Sequence, residues 1–362
     1  MPRSKKRIGI LTGGGDCPGL NAAIRAVAKA AVLNYNMQVL GVKDGYIGLI
    51  ENKYMPLSYK DVSGILTEGG TFLGTSNKAN PFRWLCHSSG KLRDVSSLVL
   101  RNVRMMQLDG LVCIGGDGTL NIAHRLYKKG INLVGIPKTI DNDLKATDTT
   151  IGFDSAVKTA TEAIDKLHTT AQSHHRVMVI EVMGRYAGWL AIYAGMAGGG
   201  DIIIIPEIPY DIKKVCERVV DRHKHGKRFS IVVISEGARP KGGSMVVKKI
   251  VKDSTDPLRL GGIANKIAND IEGITGLETR VTVLGHLQRG GTPSPFDRML
   301  ATRLGTFACD LVARSEFGKM VALKGRNIEA VDLKKAVNGV RKVDTKNPII
   351  KSALAVGTSF GK

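Results

Sequence analysis

Leu108-Asp-Gly-Leu-Val-Cys-Ile-Gly-Gly-Asp-Gly-Thr119 joins a run of apolar residues to a glycine-rich loop. The stretch predicts a buried strand, a tight loop and then a helix over residues 120–129. An aspartate between glycines at the end of a parallel strand can hold a magnesium ion while the backbone meets phosphate groups. The simpler alternative is that Asp117 caps the helix, and this stretch alone leaves both open.

The same order of strand, glycine loop and helix occurs at the start of the chain. Residues 8–11 are apolar, glycines follow at positions 13 to 15, and an alanine-rich segment at 22–33 has the spacing of an amphipathic helix. Strand and helix patterns alternate over the rest of the chain, and polar clusters recur where predicted strands end. This pattern predicts an α/β fold with parallel sheets, which bind ligands at the carboxyl ends of their strands.

A third stretch of this kind is Gly135-Ile-Pro-Lys-Thr-Ile-Asp-Asn-Asp-Leu144, which follows a predicted strand over residues 131–136. Asp and Asn after a strand favour a turn over continued pairing. The stretch therefore predicts a loop that holds Asp141 and Asp143 near a metal-bound phosphate or an acceptor hydroxyl. An exposed acidic turn is the alternative interpretation.

Length and composition set limits on the class of protein. A chain of 362 residues with 43% hydrophobic content can form two lobes with cores. Its apolar runs stay well short of the ~20 residues that span a bilayer, so no membrane partner is expected. The five cysteines are odd in number and widely spaced, which argues against disulfides and zinc. With a basic N-terminal segment that lacks a signal-like apolar stretch, they favour a cytoplasmic location.

The formal charge of +21, from 53 Lys and Arg against 32 Asp and Glu, raises the possibility of nucleic-acid binding. Aromatic residues make up only 5% of the chain, and no basic stretch interleaved with aromatics is found. A nucleic-acid partner is therefore not favoured. A basic protein also attracts small anions, so the charge agrees equally with a phosphorylated substrate.

Six loops, taken together, are specific. They are Gly14-Gly-Asp-Cys-Pro-Gly-Leu-Asn21, Gly69-Gly-Thr-Phe-Leu-Gly74, Gly115-Gly-Asp-Gly-Thr119, Pro137-Lys-Thr-Ile-Asp-Asn-Asp143, Glu181-Val-Met-Gly-Arg-Tyr186 and Gly285-His-Leu-Gln-Arg-Gly-Gly291. In this order they make the chain closely resemble the 6-phosphofructokinases, from about Ile8 to the last residue.

The resemblance implies two Rossmann-like α/β lobes with the active site in the cleft between them. Residues 1–152 plus 288–337 would bind the phosphoryl donor, and residues 153–287 plus 338–362 would bind fructose 6-phosphate. The implied reaction is phosphorylation of the 1-hydroxyl of fructose 6-phosphate, which gives fructose 1,6-bisphosphate.

The resemblance also implies roles for residues of the reaction centre. Asp141 would be the general base, Asp143 would support it and the metal, and Asp117 would hold Mg²⁺. Thr139 would contact the transferring group. Arg185 would be a catalytic residue that also meets the sugar phosphate.

For the sugar phosphate, the resemblance implies contacts from Met183, Gly184, Glu236, His286 and Arg289. His286 could equally be a structural histidine. Arginines matching Arg176 and Arg280 reach this phosphate from a neighbouring subunit in the family. A homodimer or homotetramer is therefore expected.

Two positions bear on the phosphoryl donor. Pyrophosphate-dependent members of the family carry Asp at the position of Gly118 and Lys at that of Lys138, so this chain matches one signal of each kind. A glycine leaves room for the α-phosphate of ATP, whereas a flexible lysine can swing aside. ATP is therefore the expected donor, and pyrophosphate is the alternative.

The donor site implied by the resemblance comprises Gly14, Gly15, Tyr46, Gly116, Gly118, Thr119 and Lys138. Tyr46 would lie near the adenine, although a packing role is the alternative. Asn77 stands where many bacterial ATP enzymes place an arginine beside the γ-phosphate. We hypothesise that Lys78 or Lys138 supplies the missing charge.

Overall fold

The structure is a computed structural model that describes residues 5–86, 90–250 and 258–362. Residues 1–4 of the basic N-terminal segment lie outside the described residues. Two sheets with parallel strands, covered by helices, form the body of the molecule, so the predicted α/β fold is confirmed.

The strands are β1 (Arg7–Thr12), β2 (Gln38–Val42), β3 (Tyr54–Leu57), β4 (Trp84–Cys86), β5 (Lys91–Arg93), β6 (Gly110–Gly115), β7 (Leu133–Pro137), β8 (Val177–Val182), β9 (Ile202–Ile204), β10 (Ser230–Ser235), β11 (Val247–Ile250), β12 (Leu258–Leu260), β13 (Thr279–Val283), β14 (Lys319–Lys324) and β15 (Asn327–Asp332).

The helices are α1 (Leu20–Tyr35), α2 (Tyr46–Glu51), α3 (Ser96–Met105), α4 (Asp117–Lys128), α5 (Phe153–His174), α6 (Trp189–Ala197), α7 (Ile212–Lys224), α8 (Ile263–Thr275), α9 (Pro295–Ala313), α10 (Leu333–Ala336) and α11 (Pro348–Ala355). Short 3₁₀ helices cover Ile65–Thr67 and Gly285–Arg289.

The first sheet has seven strands in the order β15-β14-β7-β6-β1-β2-β3. Its five central strands are parallel, and the edge strands β3 and β15 run antiparallel to their neighbours. Every residue of β6 and β7 is buried. This is expected for central parallel strands, because helices cover both faces of such a sheet.

The second sheet has four parallel strands in the order β13-β8-β10-β9. Successive side chains of a strand point to opposite faces, and β8 divides accordingly. Ile180 and Val182 join a core that includes α5 and α6, whereas Val177 and Val179 join a core that includes α7 and α8. This strand is therefore buried on both faces, in agreement with its largely apolar sequence.

One hydrophobic core joins the two sheets. It contains Ile10 and Ile136 of the first sheet, Ile180 of the second, and residues of α1, α5 and α9. Because this core is continuous, the loops at the carboxyl ends of the two sets of strands are held in fixed relation. Those loops carry the functional residues predicted from the sequence.

Some element boundaries differ from the sequence prediction. Helix α4 begins at Asp117 rather than at residue 120, since an acidic residue in the first turn is favourable next to the helix dipole. The strand predicted over 131–136 is shifted to Leu133–Pro137. No helix among the described residues is both long enough and apolar enough to cross a membrane.

Candidate active site

The glycine loop after β1 packs tightly against Thr119, in the first turn of α4. The amide of Gly13 donates to the carbonyl oxygen of Ile114 at 2.9 Å, and the hydroxyl of Thr75 donates to the carbonyl oxygen of Gly14 at 2.7 Å. A Cβ atom at Gly13 would lie 2.7 Å from Oγ1 of Thr119, closer than a Cβ atom approaches a non-bonded neighbour. Glycine is therefore required here by close packing.

Lys138 lies beneath this loop. Its side chain is only 3% exposed, and its ammonium group donates hydrogen bonds to the carbonyl oxygens of Gly13, at 3.1 Å, and Gly15. Burial lowers the pKa of Lys138, mainly because the charged form loses its hydration. The expectation of a flexible lysine that swings aside is therefore wrong: two acceptors hold the side chain as a brace of the glycine loop.

The amino-terminal end of α4 presents an open face beside this loop. Gly118 is exposed, and a Cβ atom placed on it would meet no atom within 4 Å. The helix is capped by Gly116, and Asp117 is its first residue, so Asp117 is not the capping residue of the alternative interpretation. Helix N-termini favour anions, and this end has room for one.

The aspartate loop, residues 139–151, is held by its own polar groups. Asn142 adopts a left-handed conformation (φ 50°), and its Oδ1 accepts from the amide of Thr150 at 3.1 Å. The hydroxyl of Thr150 donates to the carbonyl oxygen of Thr139 at 2.6 Å, and the amide of Asp141 donates to the hydroxyl of Thr139 at 3.2 Å. The loop that carries both aspartates is therefore well defined.

Asp141 is the most unusual carboxyl group of the site. Its Oδ1 is buried and makes no hydrogen bond within the described part of the chain. Burial raises the pKa of Asp141, and the charges of Arg289 and Arg185 oppose the rise. These two arginines are therefore the cations that act on Asp141.

Asp143 and Glu236 share this environment. Burial is the main cause that raises the pKa of Asp143, and the charges of Asp141 and Asp117 add to it. Burial, followed by the charge of Asp141, raises the pKa of Glu236 to about 7. The structure thus brings four of the predicted carboxyl groups together with two of the predicted arginines.

Two loops of the second sheet position Arg185 beside Glu236. Gly184 has φ 126°, and a Cβ there would lie 2.6 Å from the hydroxyl oxygen of Ser235. The carbonyl oxygen of Gly184 accepts from the amide of Gly237 at 3.2 Å and from the hydroxyl of Ser235. These bonds tie the end of β8 to the end of β10.

The sugar-phosphate loop, residues 285–293, contacts both sheets. Arg289 donates from Nη1 to the carbonyl oxygen of Asp16 at 3.1 Å, and its guanidinium occupies the space that a side chain at Gly15 would need. His286 is exposed on the 3₁₀ helix of this loop. Arg289 is therefore a residue of the cleft that touches the glycine loop.

Gln288 was not identified from the sequence. It is fully buried, its Oε1 accepts from the amide of Met183 at 3.3 Å, and its Nε2 donates to the carbonyl oxygen of Gly285 at 3.0 Å. A glutamine beside two charged ligand candidates gave no signal of its own, because its role depends on a strand that is distant in sequence.

Arg176 and Arg280 do not lie near the other predicted substrate residues of their own chain. They stand where β8 and β13 begin, and both pair with Glu278, at 2.8 Å for Arg176. Met183 and Gly184 follow the opposite end of β8, about 20 Å away for a strand of six residues. The two arginines therefore cannot complete the site of the chain that carries them.

Tyr46 has a packing role in this structure. Its ring is 3% exposed within the core beneath α4, and its hydroxyl donates to the carbonyl oxygen of Thr119 at 2.7 Å. A ring buried in this way offers no face to an adenine. Tyr46 therefore supports the first turn of α4 and does not make the predicted contact with a nucleotide.

Asp117 and Asp143 are the residues that could hold a metal ion. The described residues contain no cluster of three or more His, Cys, Asp or Glu side chains suited to metal binding. Mg²⁺, however, is commonly bound through one or two carboxylates together with phosphate oxygens and water. Burial raises the pKa of Asp117, and a cation beside it would offset that cost, so the pair fits Mg²⁺ bound with a phosphate.

A glycine-rich cradle at a helix N-terminus, buried carboxyl groups and facing arginines together define an α/β phosphotransferase. Comparison with known proteins specifies the family. Residues 7–312 match the family model described as phosphofructokinase. The chain belongs to the phosphofructokinase family.

Several relatives match almost the whole chain. The ATP-dependent 6-phosphofructokinase 2 of Clostridium perfringens is 52% identical, with 99% of this chain and 100% of the relative covered. The ATP-dependent 6-phosphofructokinase of Spirochaeta thermophila is 51% identical, with 98% of each chain covered.

Solved structures agree in fold. Phosphofructokinase from Pichia pastoris in the T-state is 30% identical, with a TM-score of 0.81 over 98% of this chain. This chain spans only 37% of the length of that enzyme. A pyrophosphate-dependent phosphofructokinase from Marinobacter aquaeolei has a TM-score of 0.80 over 98% of this chain and 92% of its own, at 21% identity. At that identity the likeness concerns the fold alone.

Replacing Lys138 by Met should destabilise the protein and cut turnover with ATP. The change leaves the carbonyl oxygens of Gly13 and Gly15 without their buried donor, which should lower the free energy of unfolding by about 1–3 kcal/mol. Denaturant unfolding and a coupled assay with ATP measure the two effects. Lys224→Met, at an exposed position at the end of α7, is the matched control. Equal stability and turnover for the two variants would show that Lys138 does not brace the loop.

Replacing Glu236 by Gln should change how stability depends on pH. The pKa of Glu236 is about 7 in the folded protein against an ordinary value of 4.5. Between these values the folded wild type binds a proton that the unfolded chain releases, so its free energy of unfolding falls as the pH rises. The glutamine variant lacks this contribution and should become relatively more stable toward pH 8. Denaturant unfolding of both proteins between pH 5 and 8, without ligands, measures the difference, and parallel curves would contradict it.

Proposed function

We propose that this protein transfers the γ-phosphoryl group of ATP to the 1-hydroxyl of fructose 6-phosphate, giving fructose 1,6-bisphosphate and ADP. The reaction is that of an ATP-dependent 6-phosphofructokinase, the committed step of glycolysis. The observation that carries the proposal is the buried Oδ1 of Asp141, which faces Arg185 and Arg289 and has no hydrogen-bond partner in the described residues.

Asp141 acts as the general base. Its Oδ1 accepts the proton of the 1-hydroxyl as the sugar oxygen forms a bond to the γ-phosphorus, and the bond from that phosphorus to the bridging oxygen of ADP breaks. A base works best when its pKa lies near the operating pH, and burial moves Asp141 in that direction. Arg185 and Arg289 keep the charged form accessible and offer a forked set of donors to phosphate oxygens.

Thr139 and Asp143 support this base. The hydroxyl of Thr139 accepts from the amide of Asp141 and would contact the transferring group. Asp143 and Asp117 would hold Mg²⁺, which when bound neutralises charge on the phosphates of the donor. The carbonyl oxygen of Asp143 accepts from the amide of Arg341 at 2.7 Å, so the loop is also fixed from the carboxyl-terminal part of the chain.

The donor site is formed by Gly14, Gly15, Gly116, Gly118, Thr119 and the brace Lys138. The open space at Gly118 supports ATP, because an α-phosphate fits where an aspartate would exclude it. The names of the most similar relatives support the same donor. The pyrophosphate alternative is supported by the lysine at position 138 and, among the solved structures, by likeness of fold alone.

The sugar-phosphate site combines Met183, Gly184, Glu236, His286 and Arg289, with Glu236 accepting from sugar hydroxyls. Arg176 and Arg280 complete this site in a neighbouring subunit, so the active enzyme is a homodimer or homotetramer. Their position at the far end of the second sheet supports this arrangement. A nucleic-acid partner is not part of the proposal.

The two sheets correspond in this proposal to two lobes. Residues 1–152 plus 288–337 form the donor lobe, and residues 153–287 plus 338–362 form the fructose 6-phosphate lobe. The location is the cytoplasm, and five cysteines that are odd in number and widely spaced agree with a reducing compartment.

Replacing Asp141 by Asn should lower kcat by roughly 10²–10⁴-fold, the usual contribution of a general base. The side chains are similar in size, so thermal stability should be retained and KM for fructose 6-phosphate should change little. A coupled assay and a thermal melt measure these quantities. A kcat within error of the wild type would exclude Asp141 as the base.

Replacing Gly118 by Asp should strongly weaken the use of ATP, because the carboxylate would occupy and repel the position of the α-phosphate. Gly118→Ala is the matched control, since a Cβ there meets no atom within 4 Å. Both variants and the wild type are assayed with fructose 6-phosphate and either ATP or pyrophosphate. Intact ATP kinetics in the aspartate variant contradict the steric argument, and wild-type activity with pyrophosphate alone overturns the choice of donor.

A further inference from the structure

Three helices begin at one buried point, and each follows a loop of the proposed active site. Helix α1 is capped by Gly19 after the glycine loop, α5 by Gly152 after the aspartate loop, and α9 by Ser294 after the sugar-phosphate loop. Asp297, in the first turn of α9, lies among these helix ends with 0% exposure.

Asp297 caps a helix other than its own. Its Oδ1 accepts from the amide of Gly152 at 2.9 Å. Its Oδ2 accepts from the amide of Ser155 at 2.8 Å and from the hydroxyl of Ser155 at 2.6 Å. The carboxylate of Asp297 thus satisfies donors at the amino-terminal end of α5, which has no capping side chain at Gly152 itself.

The return connection runs through two serines. The hydroxyl oxygen of Ser155 accepts from the amide of Ser294 at 2.9 Å. The hydroxyl of Ser294 accepts from the amide of Asp297 at 3.1 Å and donates to Oδ2 of Asp154 at 2.5 Å. Side chains of α5 and α9 therefore cap each other, and Ser155 both donates to one helix end and accepts from the other.

Simple capping does not require this arrangement. Asp211 caps α7, and Asn347 caps α11, each by one local side-chain hydrogen bond. A carboxylate without exposure loses its hydration, which is costly unless donors replace the water. At Asp297 the cost is offset by three donors, all from a segment more than a hundred residues away in sequence. The bonds thus fix two distant segments relative to each other.

The two segments carry residues that must meet during the reaction. The sugar-phosphate loop, which carries Arg289, is followed directly by Ser294. The aspartate loop, which carries Asp141, is followed directly by Gly152. Gln288 fixes the first part of the sugar-phosphate loop to Met183. The bonds of Asp297, Ser155 and Ser294 fix its last part to the aspartate loop.

We propose that Asp297, acting with Ser155 and Ser294, is a positioning residue that holds the sugar-phosphate loop against the aspartate loop. This inference rests on the proposed function, because it concerns the substrate of that reaction. The glycine loop touches Arg289, but Lys138 and Thr75 hold it as well. Disrupting the hydrogen bonds among Asp297, Ser155 and Ser294 therefore weakens the binding of fructose 6-phosphate, while the binding of ATP is retained.

The test replaces Asp297 by Asn, which keeps the shape but turns an amide donor toward groups that are themselves donors. KM for fructose 6-phosphate should rise by about tenfold or more, since displacement of a positioning group by about 1 Å has effects of that size. KM for ATP should stay at the wild-type value. Assays are run well below the melting temperature of each protein.

The KM values separate positioning from stability. A loss of folded enzyme lowers kcat and leaves both KM values unchanged, whereas a displaced loop raises one of them. Asp211→Asn is the matched control, because asparagine also caps helices and the side chain of Asp211 accepts from the amide of Lys213 in its own helix. Its kinetic parameters should equal those of the wild type.

Ser155→Ala keeps the inference testable if the Asp297 variant fails to fold. It removes the hydroxyl that bridges the two helices and leaves two backbone donors on Asp297, so KM for fructose 6-phosphate should rise by a smaller factor. If both residues act through the same set of hydrogen bonds, KM for fructose 6-phosphate in the double variant should be no higher than in the more impaired single variant.

The outcomes distinguish this inference from the proposed function. A wild-type enzyme that does not phosphorylate fructose 6-phosphate with ATP overturns both. An active wild type whose Asp297→Asn or Ser155→Ala variant has unchanged KM values overturns the positioning role alone. Equal increases in KM for both substrates overturn it as well.

Discussion

The structure depends on the burial of carboxyl groups where the carboxyl ends of two parallel sheets face each other. Asp141, Asp143 and Glu236 lie in this cleft, and loss of hydration is the main cause that raises the pKa of each. Arg185 and Arg289 oppose the effect at Asp141. Burying such a cluster lowers the stability of the protein without ligands. Bound substrates offset this loss with their own charges and hydroxyl groups.

Buried polar groups outside the reaction centre make this cluster possible. Lys138 braces the glycine loop from below, and Gln288 fixes the sugar-phosphate loop to β8. Asp297 ties that loop to the start of α5. Each of these side chains is almost fully buried and satisfies backbone groups that no regular secondary structure satisfies. Hydrogen bonds from buried side chains therefore hold these irregular loops in place.

The predictions from sequence succeeded where the signal was local. The apolar strands and the polar residues just after them predicted an α/β fold, and Asp117, Asp141, Asp143, Glu236, Arg185 and Arg289 do come together. Tyr46 and Lys138 were misjudged, because their burial depends on what packs above them. Gln288 and Asp297 gave no signal, since each acts on a segment that is distant in sequence. Local patterns show which residues are present at a strand end but not which of them are enclosed.

Two arginines of the second sheet also show what local sequence patterns do not predict. Arg176 and Arg289 both adjoin strands or turns of the second sheet, and the resemblance implies a phosphate contact for each. The parallel register of β8 and β13 separates them, because one lies before the strands and the other after them. A residue at the amino end of a parallel strand cannot reach ligands that bind at its carboxyl end. Strand direction, rather than residue type, therefore decides which arginines share a site within one chain.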